Sequence, residues 1–543
     1  MERIIVIALL FLPILSSAQT APDTYLIFFS DKDNTPYSLD QPQQFLSDRA
    51  IQRRIDQGIG FDELDLPVDP VYIDTVLAQG DVQLLNRSKW FNVITVRTAD
   101  IAVLQQIAQL PFVIDIKNTS DRELESIVPD KFNVEKAVAK DLDYGGSFTQ
   151  VSMMNGHLLH ELSQGEGMLI GVLDSGFEGV DWMPAFAPLR DRNGIILTRD
   201  LVNAGTSVYE DHWHGRSVLS CMAAILEGQL IGTAPQADYV LLRTEDAASE
   251  FIVEEDNWIA GAELADSIGC DVINTSLGYT RFDDPTQDHH YTELNGNNAR
   301  ISIAASIAAQ KGMIPVVSAG NQGESDWYYI SPPADAHDIL AVGAVGDMAQ
   351  YAPFSSHGPS ADGRVKPDVM AMGWGTIGVN DGGDSTVAIN GTSFASPLVA
   401  GLVASLWRLH PERTAQEIMQ AVRASASLYD QPNDSMGYGI PDFMHANELL
   451  ITIGIDDRST DAELIFPNPF TDRINILVYA LGSMNVSLHD LAGRVIWRSD
   501  VIDLKNGKAV IEDPVLTRID IGTYLLTIEM EGRRIVRKVI KER

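Results

Sequence analysis

Two cysteines in 543 residues, Cys221 and Cys270, exclude a disulfide-stapled scaffold and a four-cysteine zinc site. Positive charge is also scarce: 39 Lys and Arg stand against 75 Asp and Glu, a formal net charge of −36. Phosphate recognition needs clustered positive charge, so no nucleic-acid partner is expected, and anionic membrane surfaces repel most of the chain. Beyond the N-terminus no stretch approaches 18 uncharged apolar residues, so no membrane span is expected in the mature form. What remains is an ordinary globular composition, 45% hydrophobic and 21% charged, with 42 Gly and 25 Pro. At roughly 100–200 residues per domain it provides two to four domains, each standing on its own hydrophobic core.

The ends of the chain differ from its middle. Ile4 to Leu12 is an unbroken apolar stretch after Arg3, followed by Ser16-Ser17-Ala18. This is the pattern of a secretory signal peptide, residues 1–18, cut after Ala18. Residues 19–140 alternate short strand and helix patterns: strands at Tyr25–Phe29, Val82–Leu85, Phe91–Val96 and Phe112–Ile116, and helices at Gln43–Gln57, Pro70–Gln79 and Asp100–Gln109. They form a small α+β domain without a nucleophile–base arrangement. Asp121–Ser147 is polar and turn-rich and reads as a connector. At the other end a polar link, residues 453–463, precedes residues 464–543. There short strand-like runs separated by turns predict a β-sandwich. Its last stretch, Gly532–Arg543, holds six Lys/Arg against one Glu, opposite in sign to the whole protein.

Residues 141–452 carry the chemistry. Met168–Leu173 is apolar on both faces, as in a buried parallel strand, and ends in Asp174-Ser175-Gly176. Functional groups in such sheets gather at the strands' carboxyl ends. His212 and His214 precede a helical stretch. Asp271–Leu277 and Met313–Ser318 are further buried strands, the second leading to Ala319-Gly320-Asn321. Asn321 offers a side-chain donor of the kind an oxyanion needs. Ser393 starts a helix apolar almost all round, with Pro397 placed in its first turn. Taken singly, each has a plainer role: Asp174 a turn cap, the histidines core or surface groups, Ser393 an N-cap. Together, in the order Asp174, His214, Asn321, Ser393, they follow the subtilisin order of a serine triad.

Residues 150–450 thus resemble the subtilase family of serine peptidases. The matching motifs are Val172-Leu173-Asp174-Ser175-Gly176, His214-Gly215 with Val218, Ser318-Ala319-Gly320-Asn321 and Gly391-Thr392-Ser393-Phe394-Ala395-Ser396-Pro397; Gly232-Thr233-Ala234-Pro235 and Gly437-Tyr438-Gly439-Ile440 also agree. His214, followed by Gly215 and Val218, takes the catalytic position, and His212 does not fit it. The resemblance implies a subtilisin-like α/β domain, a parallel sheet with helices on both faces. It implies a secreted endopeptidase in which Ser393 attacks, His214 is the base, Asp174 orients it and Asn321 helps bind the oxyanion. It also implies that Ser276-Leu277-Gly278 and Ser318-Ala319-Gly320 pair with an extended protein or peptide substrate. Two departures stand out: Arg216-Ser217 follow His214-Gly215 where the family usually has Thr-His, and residues 279–298 lengthen one loop.

The same resemblance reads residues 19–140 as a propeptide, removed from a zymogen. The tail is similar to the C-terminal sorting domain of type IX secretion substrates, through Phe466-Pro467-Asn468-Pro469-Phe470, Asp490–Arg494, Gly522-Thr523-Tyr524 and the basic end. The implied partners are the Sec and type IX secretion machineries, and the implied destination is the cell surface or medium. No cofactor is required for the chemistry and no metal site is assigned. A structural calcium ion is compatible with the family, but Asp283-Asp284 and Asp381–Asp384 read as solvated loops. The competing reading is a catalytically silent subtilase-like adhesin. Cys221 and Cys270 are expected to be buried thiols; a bridge needs Cα atoms within about 7 Å.

Overall fold

The computed structural model describes residues 24–120, 144–453 apart from Ala204, and in the C-terminal stretch residues 463–466, 470, 473–478, 483–489, 494–499, 502–503, 508–530 and 533–541. The expected signal peptide, most of the connector and nearly all of the polar link lie outside the described residues. Contacts divide the chain into Met1–Ala446 and Asn447–Arg543.

The N-terminal domain comprises β1 (Thr24–Phe29), α1 (Asp48–Asp56), α2 (Pro70–Leu77), β2 (Gln83–Ser88), β3 (Val93–Arg97), α3 (Ile101–Ile107) and β4 (Val113–Ser120). Its strands form an antiparallel sheet in the order β2-β3-β1-β4. Ser47, Asp69 and Asp100 accept hydrogen bonds from first-turn N–H groups and so fix where the three helices begin. For that reason the helix expected over Gln43–Gln57 is divided. Pro42–Gln44 makes only one 3₁₀ turn, and α1 starts after the Ser47 cap.

The central domain contains β5 (Leu169–Asp174), β6 (Ile195–Asp200), α4 (His214–Ala223), β7 (Asp238–Arg243), α5 (Val253–Ile268), β8 (Val272–Thr275), α6 (Arg300–Gln310), β9 (Ile314–Ser318), β10 (Leu340–Val345) and β11 (Val369–Met372). These seven strands form one parallel sheet, β11-β10-β9-β8-β5-β7-β6. The long helix α7 (Thr392–Leu409) packs on α4 and on the sheet, while α5 and α6 share a core with Leu169, Leu173, Ile273 and Val317. Helices therefore cover both faces, which is why the central strands read as continuous apolar runs. Cys221 and Cys270 are buried free thiols, and desolvation pushes both up to about 12, so neither is reactive.

Parallel strands put all carboxyl ends at one edge of the sheet. At the opposite, amino edge sits α1 of the N-terminal domain, while β2 lies along α5, where Asn86 donates to Asn257 at 2.7 Å. Arg49 of α1 donates to the carbonyls of Gly269 and Gly167 at 2.9 and 3.0 Å. Arg54 grips both oxygens of Asp266 at 2.7 and 2.9 Å and Asp65 at 2.9 Å; Arg53 reaches Asp266 at 2.5 Å, and Lys89 at 3.1 Å. One turn earlier on α5, Glu263 accepts from Ser88 Oγ, Lys89 N–H and Trp90 N–H at 2.5, 2.8 and 3.0 Å.

The C-terminal unit contains β12 (Glu463–Phe466), β13 (Arg473–Val478), β14 (Ser483–His489), β15 (Val495–Arg498), β16 (Ile502–Asp503), β17 (Lys508–Glu512), β18 (Gly522–Met530) and β19 (Arg533–Lys541). One sheet is β12-β13-β17; the other is β15-β14-β18-β19, with β16 also pairing with β14. They enclose a core of Phe470, Ile474, Val486, Leu488, Leu526 and Ile528. The basic end is itself a strand, β19, paired with β18 from Gly522↔Lys541 to Met530↔Arg533.

Candidate active site

Asp174 is the last residue of β5 and is fully buried. Its Oδ1 accepts from Ser175 N–H at 2.8 Å and from His214 Nδ1 at 2.7 Å. A carboxylate only accepts, so Nδ1 carries the imidazole proton and Nε2 is left as the basic nitrogen. His214 opens α4, and Gly215 lets that helix come close: a Cβ there would lie 2.3 Å from the Gly176 carbonyl oxygen and 2.9 Å from Asp174 Cβ.

Ser393 is the second residue of α7, 7% exposed, and its Oγ donates to the Ser276 carbonyl at 3.1 Å. Pro397 lies in the interior of α7 and not in its first turn as expected. It is four residues after Ser393 and has no N–H to give the Ser393 carbonyl. Ser276 Oγ donates to the Ser393 carbonyl at 2.7 Å instead, tying the helix to the segment after β8. Asn321 Oδ1 accepts from Thr392 N–H at 2.8 Å and Thr392 Oγ1 at 2.9 Å. Because a backbone N–H can only donate, this fixes the amide orientation and directs Nδ2 away from Thr392.

A cleft of about 630 Å³ opens onto Ser393 and Asn321 and is lined also by Ser276, Leu277, Gly278, Ser318 and Gly320; His214 and Asp174 are not part of its lining. Ala319 turns its side chain fully into the core and does not line the cleft. The cleft also carries Glu245 and Glu250, which sequence reading did not single out.

Both departures from the family pattern are built into the fold. Arg216 is buried and pairs with Asp381 at 2.8 Å and Glu178 at 3.5 Å. The lengthened loop buries Tyr279, Phe282 and Leu294 in the core, and His289 Nε2 meets Glu255 Oε1 at 2.5 Å. Burial lowers the His289 pKa, but the hydrogen bond and charge of Glu255 outweigh it and raise the value above 6.5. A raised folded-state pKa gives stabilisation that is complete below the unfolded value and lost as pH rises through the folded one. Amide exchange across residues 283–293 is therefore expected to quicken above that raised value, and His289→Gln to remove the dependence. An unchanged profile in the variant would show that the ion pair does not anchor the loop.

The model of the subtilase family matches residues 165–439, about half the chain. The chain belongs to the subtilase family. Residues 24–135 match the peptidase S8 propeptide domain of Bacteroidota, and residues 464–542 the secretion system C-terminal sorting domain. A thermostable alkaline protease of Halalkalibacterium halodurans is 25% identical over 62% of this chain and 82% of its own. Subtilisin E of Bacillus subtilis is 30% identical over 53% and 67%. The solved structure of MycP1 from Mycobacterium smegmatis has a TM-score of 0.44 at 19% identity, covering 59% of this chain and 92% of that one. This subtilase is a serine-type endopeptidase with protein substrates, exported to the cell surface or medium by its sorting domain. Among the described residues, no helix is long and apolar enough to cross a membrane.

Proposed function

We propose that this subtilase is made as a zymogen and cleaves peptide bonds through Asp174, His214 and Ser393, with Asn321 in the oxyanion site. The observation that carries the reading is the 2.7 Å contact from His214 Nδ1 to Asp174, which puts the imidazole proton on Nδ1 and makes Nε2 the basic nitrogen. A hydroxyl donates to one acceptor at a time, so the Ser393 proton turns from the Ser276 carbonyl to Nε2 as Oγ attacks. Asp174 stabilises the resulting imidazolium, which then protonates the leaving amine; water repeats the sequence on the acyl-enzyme. Asn321 Nδ2 and the Ser393 N–H meet the oxyanion. The backbone flanking the cleft at Ser276–Gly278 and Ser318–Gly320 pairs with an extended substrate. Four groups supply the whole reaction, so no cofactor is invoked. Export begins at the Sec machinery and ends at the type IX system.

The test is a fluorophosphonate probe on the secreted mature enzyme. An adduct on Ser393 is expected; an adduct on another residue would move the nucleophile there, and no labelling favours the silent adhesin. Asn321→Ala should lower kcat by roughly 10²–10³-fold with KM nearly unchanged, the size known for this donor in a subtilisin. A raised KM at normal kcat would make Asn321 a binding residue.

A further inference from the structure

The last residue of β7, Arg243, stands in register beside Asp174 of β5. It is 2% exposed, in a strand whose preceding residues, Val240, Leu241 and Leu242, are all apolar. Burying a guanidinium is costly unless hydrogen-bonded carboxylates surround it, and a leucine would fill a core position without that cost. The use made of the charge lies in its three directions. Nε donates to the carbonyl of Ser175 at 3.1 Å, Nη1 to Asp200 Oδ2 at 3.0 Å, and Nη2 meets Asp211 Oδ2 at 2.9 Å.

Two of these partners flank the proposed catalytic pair. Ser175 follows Asp174 directly, and Asp211 precedes His214 by three residues. One rigid plane therefore spans the turn that carries the carboxylate and the turn that delivers the imidazole. A second link runs in parallel. Ser175 Oγ lies 3.0 Å from His212 Nδ1, and His214 N–H donates to the same nitrogen at 3.3 Å. Asp200 completes the frame by accepting the N–H groups of Val202 and Asn203 at 2.9 and 2.8 Å.

We propose that Arg243 is a positioning residue for peptide-bond hydrolysis, holding the turn after Asp174 and the turn before His214 at a fixed separation. Lysine keeps the charge but is a point donor on a flexible stem and cannot reproduce three fixed directions. The proposal rests on the triad reading, so the test carries a control for it. In mature enzyme, Arg243→Lys and Arg243→Met should each lower kcat by roughly 10–10²-fold, the cost of about 1 Å of misplacement, with KM within about twofold of normal. In Arg243→Lys, where charge is retained, the acid limb of the kcat/KM profile should move to lower pH, because the imidazolium loses part of its carboxylate contact.

Normal kcat with only a lower melting temperature would reduce Arg243 to a structural role and overturn the proposal. Should both variants fail to fold, Asp211→Asn removes one arm and leaves the buried cation in place. Its kcat is expected to fall several-fold at constant KM, and an unchanged kcat overturns the proposal. His214→Ala separates the two ideas: if it is inactive while Arg243→Lys is normal, only the positioning role fails. If His214→Ala stays active, the triad reading itself is wrong.

Discussion

Ser393→Ala is expected to lower kcat by roughly 10⁶-fold, the loss known for the serine of a subtilisin triad and carried over to this relative. The change removes one hydroxyl whose hydrogen bond here is to the Ser276 carbonyl, 3.1 Å away. The helix keeps its other tie, Ser276 Oγ to the Ser393 carbonyl at 2.7 Å, which the substitution does not touch. Fold and substrate affinity should therefore survive, and the residual rate over water should come from Asn321 and binding alone. Turnover of a peptide substrate, with circular dichroism as the check on folding, decides the matter. Activity above a few per cent of normal would move the nucleophile elsewhere.

Asp266→Ala is expected to destabilise the full chain by roughly 3–5 kcal/mol, because it strands buried cations without their partner. Arg53, Arg54 and Lys89 all converge on this carboxylate, whose side chain is 0% exposed. Burial by itself would raise its pKa, but Lys89, Arg53 and Arg54 together hold it well below the usual carboxylate range. A depressed folded-state value gives stabilisation that is present above the unfolded pKa and lost as pH falls through the folded one. The cluster should then hold through mild acid. Urea unfolding of the full chain measures the loss. In processed enzyme without the N-terminal domain, the cations on Arg53, Arg54 and Lys89 are gone and the same change should cost far less. An equal loss in both forms would mean that Asp266 serves the catalytic domain alone.

The four proposed catalytic residues were legible because each ends an apolar strand or opens a helix within a run of small residues. Sheet edges where such ends meet are recognisable from one sequence. The burial of the Ala319 side chain was not legible, because a motif is read as a block and does not say which of its side chains turn inward. Pro397 was set one turn too early because the start of α7 depends on Gly391 and Thr392 meeting Asn321, a contact 71 residues apart in sequence. Strand β19 was hidden by its charge, and only its pairing with β18 reveals it. Arg243 could not be found at all: it follows two leucines as an ordinary strand boundary, and its meaning lies in three partners from three separate turns.

The arginine helix of the N-terminal domain docks at the amino edge of the sheet, away from Ser393 at the carboxyl edge. While the two domains share one chain, any detachment is reversed at the effective concentration that their covalent link sets. Hydrolysis between residues 120 and 144 would leave every contact of Asp266 and Glu263 in place and change only the order of the reaction, from one body to two. Occupancy then depends on how far the complex is diluted. Release of the N-terminal domain should lag such a cut, and the lag should shorten on dilution.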